Sequence, residues 1–506
     1  MSSSLEFTFH TAPHAQPVRV EPETPLRIVL MADFSGRGTR GDQPDEPAAY
    51  ALRRIDLDTM DQVLSWFAPR VGLRAGEAEV GPETPIAGFG DFHPDSLFAR
   101  LQPFRLLDGL RDRLRSPSTF ERAAAELAAL GGAATPAEAP APGKPAPAAT
   151  AESDSATLER LLGQPRPSPA EGGAAAPARG AVDAFLQELV GPYVVPDPHP
   201  RRDECLRQVE EAMSHLMRRV LRAPDFRALE TAWGGVELLL RRVEDQESVR
   251  FELVDISKAR LLAEAASNTG PLEGLARALV ERPAGKPPVG LLVGAYEFGL
   301  APEDIAALQA MASVAARAGA PFLAGAELAV AGCASAADCR AAGASAEAPA
   351  KSPDAWNALR AAPEARFLCL AFPRFLLRLP YGARSDPIDA FAFEELPSAA
   401  DHDAWLWGNG AFLCALVLAE AYAGAGWGFS PAGLAEVGGL PVHTVGTGDD
   451  LRVVPCGEAW LTDGAVQNLA GRGLTAIQSV QGRDAVRVHL RSLSGAAAAL
   501  GGRWSA

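Results

Sequence analysis

The chain has 506 residues, 47% of them apolar and 22% charged, with 47 Lys and Arg set against 63 Asp and Glu. That length predicts two to four domains with sizeable cores, and the composition is that of a globular protein. The formal charge of −16 excludes general nucleic-acid binding, which needs clustered Lys and Arg, and favours solubility or a basic partner surface.

MSSSLEFTFH lacks a cationic segment followed by a long apolar one, so it does not read as a secretory signal. Ala411 to Ala419 is the most apolar run; Glu420 stops it short of the ~20 residues a bilayer requires, and no membrane insertion is expected. Cysteines at 205, 333, 339, 369, 414 and 456 form no CxxC pair, and no His stands at zinc-ligand spacing. This predicts reduced thiols and no metal centre, as suits a soluble cytoplasmic protein.

In chain order, Leu5, Phe7 and Phe9 alternate with polar residues as in a half-buried strand, and Leu26 to Phe34 reads as an inner strand. GRGTRG, residues 36 to 41, matches GxGxxG literally, but Asp42, Pro44, Asp45 and Pro47 oppose the helix a dinucleotide would need, so a glycine-rich surface loop is expected. Asp58 is placed to cap a helix carrying Val63, Leu64 and Phe67, which Pro69 ends. Amphipathic helices follow at Phe104 to Arg115 and Ser118 to Leu130. Residues 1 to 130 thus predict a small α+β domain.

Residues 131 to 180 are rich in Ala, Pro and Gly and predict a flexible linker. Within it, Leu158, Leu161 and Leu162 share one face of a short helix, SATLERLL. Residues 181 to 506 predict a larger α/β domain with a mainly parallel sheet flanked by helices. A helix from Asp203 to Arg222 and one after Pro224, capped by Asp225, form an antiparallel pair. Strands are expected at Val249 to Ile256, Val289 to Val293, Pro321 to Ala326 and Arg366 to Phe372, with helices between them and a low-complexity loop at Ala331 to Pro353.

Arg374 and Arg378 stand four residues apart in apolar sequence and cannot be buried unpaired; Asp386, Asp389, Glu394 and Glu395 are the nearest partners. Trp405, Trp407 and Phe412 flank Gly408, Asn409 and Gly410, which predicts a turn packed into the core, with Asn409 bonding its backbone. No GxxxxGK[ST], GxSxG or HExxH occurs. His443, in GGLPVHT, is the one histidine placed to act as a base, and it reads better as a hydrogen-bonded turn residue. No catalytic residue, cofactor or metal ligand is predicted.

PRFLLRLPYG, DPIDAFAFEE and WLWGNGAF, with PDFRALETAWGGV, GLLVGAYEFGLAPEDIAALQAM and GGLPVHT, together resemble the large subunit of the type VI secretion contractile sheath over residues 181 to about 480. LRIVLMADF, RRIDLDTMDQVLSWFAP and FGDFHPDSLFARL resemble its small subunit, as though both were fused in one chain. The resemblance implies a structural motif on Arg374, Arg378, Tyr381, Asp386, Trp407 and Asn409 and no enzymatic activity. Its implied partners are other sheath subunits, a hexameric inner tube, a baseplate and an AAA+ recycling unfoldase. The unfoldase would grip Leu158, Leu161 and Leu162; a plain helical spacer is the other reading of that segment. Strand exchange between subunits would use Leu5, Phe7 and Phe9, or Val486 and Val488. Gly234 and Ala295 stand where the family usually has Arg and Asp, and its large subunits continue beyond the point matching residue 480. A non-polymerising cap or baseplate accessory of the same machine therefore stands beside the sheath subunit as an alternative.

Overall fold

LRIVLMA forms β1 (Leu26–Ala32), in which all seven residues are buried. The computed structural model describes residues 23–41, 50–72, 74–75, 78–79, 83–132, 189, 202–267, 270–280, 286–335, 353–397, 404–431, 433–445 and 452–505. Leu5, Phe7 and Phe9, and the helix expected at Leu158, Leu161 and Leu162, lie outside the described residues.

After β1 come α1 (Arg37–Arg40), β2 (Arg53–Ile55), α2 (Met60–Phe67), α3 (Pro94–Arg100), α4 (Gln102–Arg115) and α5 (Phe120–Gly132). Next are α6 (Arg202–Arg222), α7 (Pro224–Arg242), β3 (Val249–Asp255), α8 (Lys258–Ala265), α9 (Glu273–Val280), β4 (Val289–Phe298), α10 (Pro302–Ala318) and β5 (Phe322–Ala326). The chain continues through α11 (Asp354–Ala361), β6 (Leu368–Phe372), α12 (Gly410–Ala425), β7 (Gly433–Val437), α13 (Asp463–Gly471), β8 (Leu474–Ser479) and β9 (Val486–Leu490).

These strands form one sheet in the order β7-β9-β8-β6-β5-β4-β1-β3-β2. The inner run from β8 to β3 is parallel, and β9, β7 and β2 are antiparallel at the two ends. The fold is therefore α/β with a mainly parallel sheet flanked by helices, as strands alternating with helices predict. Alternate residues of β1 point to opposite cores: Leu26, Ile28 and Leu30 meet α4, α6, α7 and α12, while Val29 and Met31 meet α8, α9 and α10.

The decisive placement is that of β1. It pairs in register with β3 from Leu26↔Val249 to Ala32↔Asp255 and with β4 on its other side. The segment 1–130 and the segment beyond the linker thus share one sheet. Arg27 is buried and bonds Glu252 of β3 at 2.8 Å from Nε and 2.6 Å from Nη2. At the end of β1, the Trp233 indole N–H of α7 donates to the Phe34 carbonyl at 3.1 Å, and the two rings meet edge to face at 5.2 Å. The Asp95 carboxylate of α3 accepts from the backbone N–H groups of Asp389 and Ala390, a further tie across the linker.

Several expectations are corrected. Thr59, not Asp58, precedes α2, held by the Asp56 carboxylate, which takes its backbone N–H and its hydroxyl. Ala223 precedes α7 with Pro224 at the first helical position, so Asp225 lies inside the first turn, where the helix dipole favours it. GRGTRG does form one helical turn, α1, entered and left through Gly36 and Gly41 in left-handed conformations that replace a longer helix. The apolar run at Ala411 does not stop at Glu420. That residue takes an exposed position, and the segment Gly410–Gly428 is long and apolar enough to cross a membrane by length and composition. Here it packs on β4, β5 and β6, which accounts for its hydropathy. Cys333 is disulfide-bonded rather than reduced, a pairing that CxxC spacing does not signal; Cys205, Cys369, Cys414 and Cys456 are free and buried.

α7 and α12 cross so closely that a Cβ on Gly235 would sit 2.3 Å from the Phe412 ring, whereas one on the exposed Gly109 of α4 would meet nothing. Gly235→Ala is expected to lose about 1–3 kcal/mol from overpacking. Gly109→Ala is expected to gain about 0.5–1 kcal/mol from reduced backbone freedom. Urea denaturation followed by tryptophan fluorescence reads both changes.

Candidate functional site

The connections on the two sides of β1 leave the sheet toward opposite faces: the chain passes from β1 to β3 through α6 and α7, and from β3 to β4 through α8 and α9. Loops then part above the carboxyl ends of the strands, the position where open α/β sheets form a crevice. A cavity of about 660 Å³ occupies this place, walled by Asp33 after β1, Ser257 and Lys258 after β3, Glu297 of β4, Glu327 after β5 and Arg374 after β6. Arg227 of α7, Trp407 and Asn409 complete it. A second space of about 410 Å³ shares Glu297, Glu327 and Arg374 with the first.

The cations of this wall are committed. Arg374 grips Glu458 in a two-pronged contact, 2.8 Å from Nε and 2.6 Å from Nη2, and Glu458 is buried at 3% exposure. Lys258 Nζ lies 3.0 Å from Asp304, whose other oxygen takes the Gly299 backbone N–H at 2.7 Å, and 3.4 Å from Glu327. Arg227 donates to the Trp405 carbonyl. Glu297 stands differently. Its nearest cation among the described residues is Arg374, with Nε at 3.6 Å, beyond hydrogen-bonding reach, and desolvation pushes its carboxyl up despite Arg374, with Glu458 and Glu327 adding to the push.

Arg378 lies in a separate network whose two carboxylates, Glu230 and Glu395, are buried. Its Nε meets Glu230 of α7 at 2.6 Å, its Nη1 meets Glu395 at 2.8 Å, and its guanidinium covers the Tyr381 ring at 4.1 Å. The Tyr381 backbone N–H donates to Glu395 at 2.8 Å, and the Gly382 N–H donates to the Asp386 carbonyl at 2.8 Å, closing the PYGARSD loop on itself. Burial opposes the charge on Arg378, but Glu230 and Glu395 outweigh it and hold the guanidinium protonated. Burial likewise pushes the Glu230 carboxyl up, and Arg378 offsets this only in part because two carboxylates share one guanidinium.

The family model for EvpB/VC_A0108, tail sheath N-terminal domain, matches residues 203–489. The chain belongs to this tail sheath family. It is 33% identical over 247 residues to the type VI secretion system sheath protein TssC1 of Pseudomonas aeruginosa, a stretch covering 46% of this chain and 48% of the relative. The chain thus spans about half the length of that curated relative. The match begins at residue 203, and β1 to α5 lie ahead of it.

Within the matched span, the expected motif residues sort by chemistry. Arg378 and Tyr381 join through Glu395, as sequence proximity suggested, but Arg374 bonds Glu458, 84 residues on, while Asp386 accepts the Gly382 N–H through its carbonyl, Asp389 donates its backbone N–H to Asp95 and Glu394 accepts the Ala383 N–H. Arg374 and Arg378 flank the short Phe375–Leu376 strand, which bonds the Trp407–Gly408 strand, and Glu458 is brought to Arg374 by the backbone bond from its N–H to the Arg374 carbonyl. Asn409 accepts the Ala411 N–H at 2.9 Å as the N-cap of α12, and its amide donates to the Tyr296 carbonyl. Trp407 is buried beside Trp405 and Leu376. Val486 and Val488 lie in β9, bonded to β8 on one side and β7 on the other and wholly buried, so that strand has no free edge to lend. His443 contacts the Trp405 ring at 5.1 Å and is absent from the cavity wall. Sequence reasoning missed Glu230 and Glu458. Glu230 had a signal: it is the charged residue on the apolar stripe of Phe226, Leu229 and Trp233.

Arg378→Ala strands two buried carboxylates, and chemical denaturation is expected to show a loss of about 3–5 kcal/mol. A carboxyl whose folded pKa is raised binds more protons when folded, so its stability contribution improves as pH falls. The deficit of the variant is therefore expected to shrink between about pH 8 and about pH 5, the range just above ordinary carboxyl values.

Proposed function

We propose that the chain is a building block of a type VI contractile sheath in which residues 1–130 stand in for the small subunit and residues 181–506 for the large one, joined through the linker 131–180. The carrying observation is the place of β1: a strand from the front of the chain completes the middle of a sheet built by the tail sheath region. Two partners that complete one sheet lose nothing by being tethered, since loop-closure cost grows only by about 0.6 kcal/mol per doubling of length.

On this reading the protein works mechanically, passing force through repeated mating surfaces that have two discrete arrangements, and makes no bonds of its own. It packs around a hexameric inner tube, meets a baseplate at one end and resides in the cytoplasm. The outer edges of β7 and β2 bear no further strand among the described residues, and edges of this kind accept strands from neighbours. Leu5, Phe7 and Phe9 have the alternation of a donated strand. Leu158, Leu161 and Leu162 would present the contact for a recycling AAA+ unfoldase.

Electron microscopy of purified full-length protein tests the reading: tubes or cogwheel fragments are expected, and uniformly small particles would instead indicate a cap or accessory. Removing residues 4–12 is expected to abolish tubes while leaving the thermal midpoint of the subunit unchanged. Deleting residues 155–162 is expected to leave assembly intact and to abolish co-sedimentation with the unfoldase; retained binding would remove the three leucines from that role.

A further inference from the structure

The sheath reading leaves the cavity at the carboxyl ends of β1, β3, β4 and β5 without a task. We propose that this cavity binds a small organic cation, carrying an ammonium or guanidinium group, with Glu297 as its counter-ion.

Place and size come first. The cavity sits where the connections around β1 part to opposite faces and holds roughly 660 Å³, with a second space of about 410 Å³ sharing Glu297, Glu327 and Arg374 in its wall. That is room for a small organic molecule rather than a lone ion. Ala32, Ala228, Ala232 and Ala295 line it without polar atoms on their side chains, a surface suited to a methylene stem.

The sign of the ligand follows from what is already spent. Arg374 is held by Glu458, Lys258 by Asp304 and Glu327, and Arg227 bonds a carbonyl. Glu297 accepts no hydrogen bond from any described residue, and its closest cation stands 3.6 Å away. It keeps 35% of its side chain accessible, so an entering donor can reach it. An anion would face Glu297, Glu327 and Asp33 with every nearby cation engaged elsewhere. A bare metal ion fits no better, because no three His, Cys, Asp or Glu among the described residues converge as metal ligands. A cation with several N–H donors on a carbon stem satisfies Glu297 and covers the alanines.

This site stands apart from the sheath reading, since a subunit that never polymerises can still bind. Isothermal titration of the full-length chain with agmatine is expected to show saturable binding, with inorganic phosphate and glutarate showing none. Glu297→Gln is expected to weaken agmatine at least about ten-fold, the scale of one lost charge-assisted hydrogen bond, while keeping the circular dichroism and thermal midpoint of the parent. Should that variant misfold, Glu327→Gln at the cavity mouth replaces it, with weakening again expected. Absence of agmatine binding, equal affinity in a folded variant, or tighter binding of phosphate or glutarate overturns the proposal.

Discussion

The sheet depends on a strand supplied from far away. Arg27 of β1 and its partner Glu252 on β3 are 225 positions apart, yet the parallel pairing of the two strands brings their side chains within hydrogen-bonding distance. Without β1, both β3 and β4 would turn a row of backbone N–H and C=O groups toward an empty slot, and buried groups of that kind are almost never left unpaired. Phe34 and Trp233 lock the same strand from one side, and α7 reaches the loop after it. Everything above the carboxyl ends of the strands, the cavity included, is positioned by that insertion.

Buried charge forms a second layer of constraint. Arg378 between Glu230 and Glu395 joins α7 to the segment after β6, and Arg374 with Glu458 joins that same segment to the region before α13. A buried ion pair is weak evidence for net stability, because desolvation consumes much of the attraction; its geometric demand is strict, because a lost partner leaves a charge stranded. Such networks fix how elements sit against one another.

Much of the architecture was legible in the sequence because it is local. Apolar runs marked β1, β3, β4, β5 and β6, and helical periodicity marked α4, α6 and α7. The weaker strands were missed for physical reasons: β8, LTAIQS, and β7, GLAEV, mix polar residues with small ones and become strands only by pairing with β6 and β9. At the site, proximity along the chain found Glu395 for Arg378 and failed for Arg374, whose partner arrives 84 residues later. The cavity had no signature at all. Asp33, Lys258, Glu297, Glu327 and Arg374 are far apart along the chain and converge because parallel strands end at one edge.

By itself, then, the sequence determined the alternation of strand and helix, the need to neutralise Arg374 and Arg378, and the capped turn at Asn409, since these follow from side-chain period, desolvation and short-range hydrogen bonding. Tertiary structure alone decided that the front of the chain completes the sheet of the rest, that β9 is an inner strand, and that six scattered charged residues share one cavity. Those are matters of strand order, and strand order arises from pairings across hundreds of residues that no local pattern records.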